Sequence, residues 1–169
     1  LANNNEKLKL LAEYYNINNI NFDQVKNAEH KQEKPFIEEN LTIFIKNYAV
    51  KNGNKMLIQP NIFNTQSSIS ENKNRTEDIF IERGFIDIDS ISITLPDNIV
   101  KNITPEQKII EKPFGKYEFK SEIKGNKLLT YRKLELFEGN YPASNYEDFF
   151  QFHREVSSSD KGRYNLGIL

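Results

Sequence analysis

A chain of 169 residues, 37% hydrophobic and 28% charged, is long enough to bury a core of its own, and its 23 basic against 24 acidic residues leave a net charge of -1, too balanced to draw in nucleic acid or an anionic membrane. It has no cysteine, which excludes disulfides, thiolate metal sites and every cysteine nucleophile, and only two histidines, His30 and His153, too few for a multi-histidine metal site. No run approaches the roughly 18 apolar residues of a membrane span; Leu1, with no charged-then-apolar leader after it, reads as the start of a mature product or an excised segment.

From Asn3 to Asn27 the chain is polar and rich in Asn, with one helical patch, Glu6 to Tyr15, where Leu8, Leu11, Ala12 and Tyr15 fall at helical spacing. A charged connector, Glu29 to Lys34, separates this lead-in from strand-like text. Leu41, Ile43 and Ile45 alternate in a run that continues to Val50, Lys51 to Lys55 supplies a tight reversal around Gly53, and Met56 to Ile58 returns as the second arm. Pro60 cannot donate to a ladder, so that arm lies at a sheet edge or breaks there. Asn64 to Asn74 offers only Ile69 to anchor it and is expected to be a mobile loop.

Two strands are expected next, Thr76 to Glu82 and Phe85 to Leu95. In the second, Ile86 and Ile88 share one phase and Ile91, Ile93 and Leu95 the other, which predicts a bulge at Asp89-Ser90 before Pro96 ends the run. After a loop from Asp97 to Pro113, Tyr117 to Ile123 and Leu128 to Phe137 alternate on either side of Gly125-Asn126, a hairpin with one buried and one wet face. Gly139 and Pro142 break it. Ser144 and Glu147 form a capping box opening a helix whose Tyr146, Phe149, Phe150, His153 and Val156 face a core; Ser157 to Gly162 stops it, and Tyr164 to Leu169 returns as a strand. The elements predict a mainly β chain, an antiparallel sandwich of the immunoglobulin or fibronectin kind, with the lead-in helix and linker over residues 1–34 and the sandwich and its carboxy-terminal helix over 35–169.

Candidate sites are few. Asp87-x-Asp89 opens like a calcium loop, but Ser92 and Asn98 stand where an EF-hand needs Gly and Glu. His153 within the apolar stripe reads as structural, His30 lies in a charged connector, and Ser157-Ser158-Ser159-Asp160 reads as a helix terminus; no catalytic, cofactor-binding or metal-binding residue is assigned. Three Asn-x-Thr sequons, at Asn40, Asn74 and Asn102, matter only in a secreted eukaryotic protein. The apolar surface of Leu8, Leu11, Tyr14 and Tyr15 exceeds what so short a helix can hide, which marks it as a partner surface or, if Tyr14 and Tyr15 act as stacking platforms, a carbohydrate site. Tyr141 and Tyr164 are further stacking candidates.

The landmarks Leu95-Pro96, Phe114-Gly115-x-Tyr117, Tyr131-Arg132-x-Leu134-x-Leu136 and Pro142-x-x-x-Tyr146-x-x-Phe149-x-x-Phe152, followed by a closing strand, occur in an order that resembles the carboxy-terminal domain of unknown function that follows a transglutaminase-like core in multidomain proteins of Gram-negative bacteria. The resemblance covers about 80 residues well and Leu41 to Leu95 loosely. It implies a β-sandwich appendage without catalysis of its own, whose partner is the upstream transglutaminase-like core of the same polypeptide, in the periplasm or cell envelope. The chemistry of that family belongs to a Cys, His and Asp triad in the core, for which this chain has no cysteine. The expectation is therefore a non-enzymatic accessory or scaffolding domain without cofactor or nucleic-acid partner, and the alternative is a carbohydrate-binding module.

Overall fold

The computed structural model describes residues 4–15, 17, 19–33, 35–100 and 103–169, so Asn102 of the third sequon, Lys34 of the connector and the extreme amino terminus, with Leu1 and Asn3, lie outside the described residues. The chain divides into two compact units, Leu1–Tyr48 and Ala49–Leu169. Among the described residues it is mainly β, every strand pairing is antiparallel, and two α-helices complete it.

The first unit consists of α1 (Asn4–Tyr15), β1 (Ile20–His30) and β2 (Phe36–Ile45). The two strands form one long hairpin that pairs Ile20 with Ile45, Phe22 with Ile43 and Val25 with Leu41, all half-buried, with a register shift between Phe22 and Gln24. The expected connector is thus the end of β1 and its turn, and β2 pairs with β1, so residues 36–45 belong with the lead-in and the division falls at Tyr48/Ala49 instead of 34/35. Asn47, at φ +61°, supplies the left-handed turn out of β2, a conformation that Asn tolerates better than most side chains.

The second unit carries β3 (Val50–Asn52), β4 (Lys55–Ile58), β5 (Ile79–Ile81), β6 (Phe85–Thr94), β7 (Ile99–Val100), β8 (Glu106–Lys112), β9 (Gly115–Lys124), β10 (Lys127–Leu136), β11 (Gly139–Tyr141), a 3-10 turn (Ala143–Asn145), α2 (Tyr146–Asp160) and β12 (Tyr164–Ile168). The strands form two four-stranded sheets, in the orders β6-β10-β9-β8 and β3-β4-β12-β7, and a short pair, β5 with β11. Both two-residue hairpin turns, Gly53-Asn54 and Gly125-Asn126, place a glycine of φ +59° or +60° first, where a type II′ turn requires one. The core lies between α2 and the inner face of the first sheet. Phe114, Tyr117, Leu134, Phe152 and Val156 are at most 2% exposed there, with Ile79, Ile81 and Ile110 beside them. Tyr164 of β12 links the second sheet to the first through a 2.5 Å hydrogen bond between its hydroxyl and that of Ser121 on β9.

Three expectations are corrected. The 97–113 loop contains β8, whose sequence hides because only Ile110 of its seven residues is buried. β6 has no bulge against β10: its pairing is continuous, Ile86 and Ile88 are 56% and 58% exposed, and Asp87 and Asp89 take the inward positions instead. The capping box does not form. Asn145 is the N-cap without a side-chain bond, Glu147 accepts from Gln151, and the chain's entry into the turn is held by Asp78, whose carboxylate accepts from the Ala143 N–H at 3.0 Å. The helix ends at Asp160, within the expected stop of Ser157 to Gly162.

The 64–74 segment is irregular, as expected, but tied down: Asn72 N–H donates to the Tyr146 hydroxyl at 3.0 Å, and that hydroxyl donates to Ser70 O at 2.8 Å. Gly115 fits where a Cβ would lie 2.7 Å from Glu135 O and 3.1 Å from the Phe152 ring, so the sheet and α2 meet at a position without room for a side chain. Removing the Phe152 ring should therefore cost about 3 to 5 kcal/mol of unfolding free energy, and Ser144→Ala less than about 0.5 kcal/mol, since Ser144 is exposed and caps nothing. Chemical denaturation of the two variants checks that ranking.

Candidate functional site

The inward phase of β10 runs Leu128, Thr130, Arg132, Leu134, so one charged residue stands in a row otherwise made for a core. Arg132 is 2% exposed and is met from three elements. Asp160, at the end of α2 and itself 3% exposed, accepts two parallel bonds, from Arg132 Nε at 2.7 Å and Nη2 at 3.0 Å. Asp89 of β6 accepts from Arg132 Nη1 at 3.0 Å. Tyr117 of β9 donates to Asp160 Oδ1 at 2.9 Å, with the guanidinium carbon 5.8 Å from its ring centre. The connection between β4 and β5 closes the group: Gln66 N–H donates to Asp160 Oδ2 at 2.7 Å, and Asn64 Nδ2 lies 3.3 Å from Asp89.

The electrostatics follow from that geometry. Burial opposes the charge on Arg132, but the bonds and charges of Asp160 and Asp89 together hold its pKa above the ordinary value. Burial raises Asp89, outweighing the lowering by Arg132. Tyr117 is pushed far up, first by burial and then by the Asp160 carboxylate, so it stays a neutral donor. Asp160 has two acceptor bonds on each oxygen, which fills the four lone-pair sites of a carboxylate and leaves none for proton transfer or a metal. Among the described residues no group of three His, Asp or Glu side chains is placed to hold a metal ion. Removing one partner strands the other charge in the interior, so Arg132→Met or Asp160→Ala should each destabilise by about 3 to 5 kcal/mol in urea unfolding.

His153 is 7% exposed, in edge-on contact with Phe149 (ring centres 4.5 Å apart) and with Gln66 Nε2 3.5 Å from its Nδ1. Its buried Nε2 has no hydrogen-bond partner among the described residues. Burial lowers its pKa below 6.5, so the fold holds the neutral ring. In the unfolded chain the ring protonates near 6.5, and between that value and the depressed folded one the unfolded state binds more protons. The contribution is therefore complete above pH 6.5 and lost as pH falls towards the folded pKa. The fall in stability from pH 7 to 5 should be shallower in His153→Gln than in the natural chain, as denaturation at each pH will show.

The expected partner surface falls in the first unit. Leu8, Leu11 and Tyr15 are half-buried: the Tyr15 ring lies 6.4 Å from that of Phe22, and its hydroxyl donates to Glu39 at 2.8 Å, with its pKa pushed up to about 12 by burial and then by Glu39. Tyr14 is 81% exposed. The two rings meet edge to face, 5.1 Å apart at 81°, so they make no common flat platform for a sugar. Tyr141 packs on Phe114 and donates towards Phe137 O, and Tyr164 is bonded to Ser121; both serve the fold. Sequence reasoning missed Leu10, Phe36, Ile37 and Phe44, all exposed apolar residues of the same unit. The alternation of β2 contained the last three, but only a strand beginning at Phe36 gives them their faces.

The family described as "Domain of Unknown Function with solved-structure structure (DUF3858)" matches residues 54–166. No curated protein matches the chain. A crystal structure of a candidate protease from Parabacteroides distasonis is similar in fold, with a TM-score of 0.51 and 18% identity over 59% of this chain and 20% of that one. The chain therefore spans a fifth of the length of the solved protein it resembles.

Proposed function

The chain belongs to the DUF3858 family of domains of unknown function, and on that premise we propose that it is a non-catalytic accessory domain that docks against a neighbouring domain of its own polypeptide through the Leu1–Tyr48 unit. The observation that carries the reading is the distribution of the core. Every buried apolar side chain of the described residues lies in the second unit, while the first exposes Leu10, Tyr14, Phe36, Ile37 and Phe44. A two-stranded hairpin with one helix is at best marginally stable in water by itself, and covering those side chains is what would fix it.

In this reading the neighbour is a transglutaminase-like core in a periplasmic or envelope protein, and the two four-stranded sheets act as a sandwich-like appendage to it. The family resemblance supports that, as does a similar fold occupying a fifth of a much longer solved chain. The groups best suited to chemistry support the non-catalytic half: Arg132, Asp160 and Tyr117 are consumed in mutual bonds, and His153 has rings and an amide around it. A carbohydrate site on Tyr14 and Tyr15 loses its support with their edge-to-face geometry.

Hydrogen exchange on the isolated chain and on the full polypeptide tests this. Amides of 8–15 and 36–45 should exchange at least about tenfold more slowly in the full polypeptide, and Ile37→Asp with Tyr14→Asp should abolish the difference without altering exchange in β9 and β10. Equal exchange in the two settings overturns the docking role.

A further inference from the structure

The outer face of the first sheet holds a trough of about 680 Å³ that the function above does not use. Strand register shows its form. Ser90, Tyr131, Lys120 and Gln107 are successive cross-strand partners and make one wall; Ser92, Leu129 and Glu122 make the other, one pleat along. Between them runs the register row of Thr130 and Ser121, whose side chains are buried on the opposite face, so the floor is backbone. The trough thus crosses all four strands instead of following one, over a length of about 14 Å at the ordinary strand spacing.

That direction selects the ligand. An extended peptide binds a sheet by pairing with an open edge, but the backbone of β9 and β10 is engaged on both sides and offers this trough no ladder. A charged ligand finds little field: Lys120 is held by Glu118 at 2.6 Å, Glu122 by Lys124 at 2.7 Å, and Glu106, in the register row of Ser121, has its carboxylate 3.4 Å from the Tyr164 hydroxyl. What remains is one aromatic ring, Tyr131, half-buried at the centre, with an aliphatic neighbour in Leu129 and with Ser90, Ser92 and Gln107 along the rims. Neither these three nor the Tyr131 hydroxyl makes a side-chain hydrogen bond among the described residues, so donors and acceptors of neutral character stand ready on both walls. We infer that the trough is a binding site for a neutral, unbranched oligosaccharide, laid across the strands with one sugar against Tyr131 and its hydroxyls met by the rim side chains. The site is separate from the Tyr14–Tyr15 surface and does not depend on the docking role.

The test is titration of the chain, by calorimetry and by amide chemical shifts, with cellotetraose, xylotetraose, mannotetraose, chitotetraose and maltotetraose, with glucose as the short control and the neutral peptide Gly-Ser-Gly-Ser as the polypeptide control. At least one tetrasaccharide should saturate the chain and shift the amides of 90–92, 120–122 and 129–131, binding at least tenfold more tightly than glucose. Tyr131→Ala should weaken it roughly tenfold. Ser92→Arg, at an exposed position that fills the trough without touching the core, should abolish it, and Lys133→Ala, outside the trough, should leave it unchanged. Silence across the saccharides, binding undiminished in Ser92→Arg, or saturation by the peptide alone overturns the assignment.

Discussion

A guanidinium buried against two carboxylates is the constraint around which the second unit is arranged. Arg132 would be ruinous inside a helix-on-sheet core unless its charge were matched, and matching it requires α2 to end at Asp160, β6 to turn Asp89 inward, and Tyr117 to spend its hydroxyl on the same carboxylate. An ion pair of this kind contributes less to stability than an apolar replacement could, because desolvating both charges offsets most of their attraction. Its effect is on arrangement: the parallel bonds from Arg132 to Asp160 accept one angle and one register, so the helix cannot slide by a turn over the sheet without leaving charge unpaired.

The two units stand in contrast. In the second, the phenyl rings of Phe114, Phe149 and Phe152 pack edge to face at 5.1 to 5.7 Å, a dense aromatic layer between helix and sheet. The first has only a half-buried strip, Ile20, Phe22, Val25, Leu41, Ile43 and Ile45, with apolar side chains on its other faces as well. Hydrophobic surface left on both sides of a hairpin is a poor way to build a solitary domain and a good way to build a joint, which is why the proposed role falls on that unit.

How much could be read beforehand depended on how far each element's pattern was local. The β9–β10 hairpin, α2 and β12 were legible because alternation, a Gly-Asn turn and helical spacing are written in adjacent residues, and the landmarks of the family resemblance, Phe114, Tyr117, Arg132, Leu134 and Phe152, proved to be the core and its charge. β6 was misread because inward aspartates make sense only once Arg132 is known to lie opposite: the isoleucines at 86 and 88 gave a hydrophobic phase belonging to the wrong face. The true anchor of the turn before α2 is Asp78, 65 residues away from Ala143, beyond any local capping rule. Of the candidate surfaces, Tyr14 could be picked out by its helical position. The trough could not, since it exists only in the cross-strand register of β6, β10, β9 and β8.

The bonds that hold the 64–74 segment also say something about time. Gln66 and Asp160 are 94 residues apart, Asn72 and Tyr146 are 74 apart, and Arg132 reaches 43 residues back to Asp89. The Arg132–Asp89 bond closes when β6 pairs with β10, but the other two cannot close until α2 has landed on the sheet, so the seal of the 64–74 segment is a late event reached through long loop closures. During that interval Arg132 has Asp89 beside it on the sheet but not yet Asp160. The helix carrying Asp160 is thus the piece that completes both the charge match of Arg132 and the tie to Gln66.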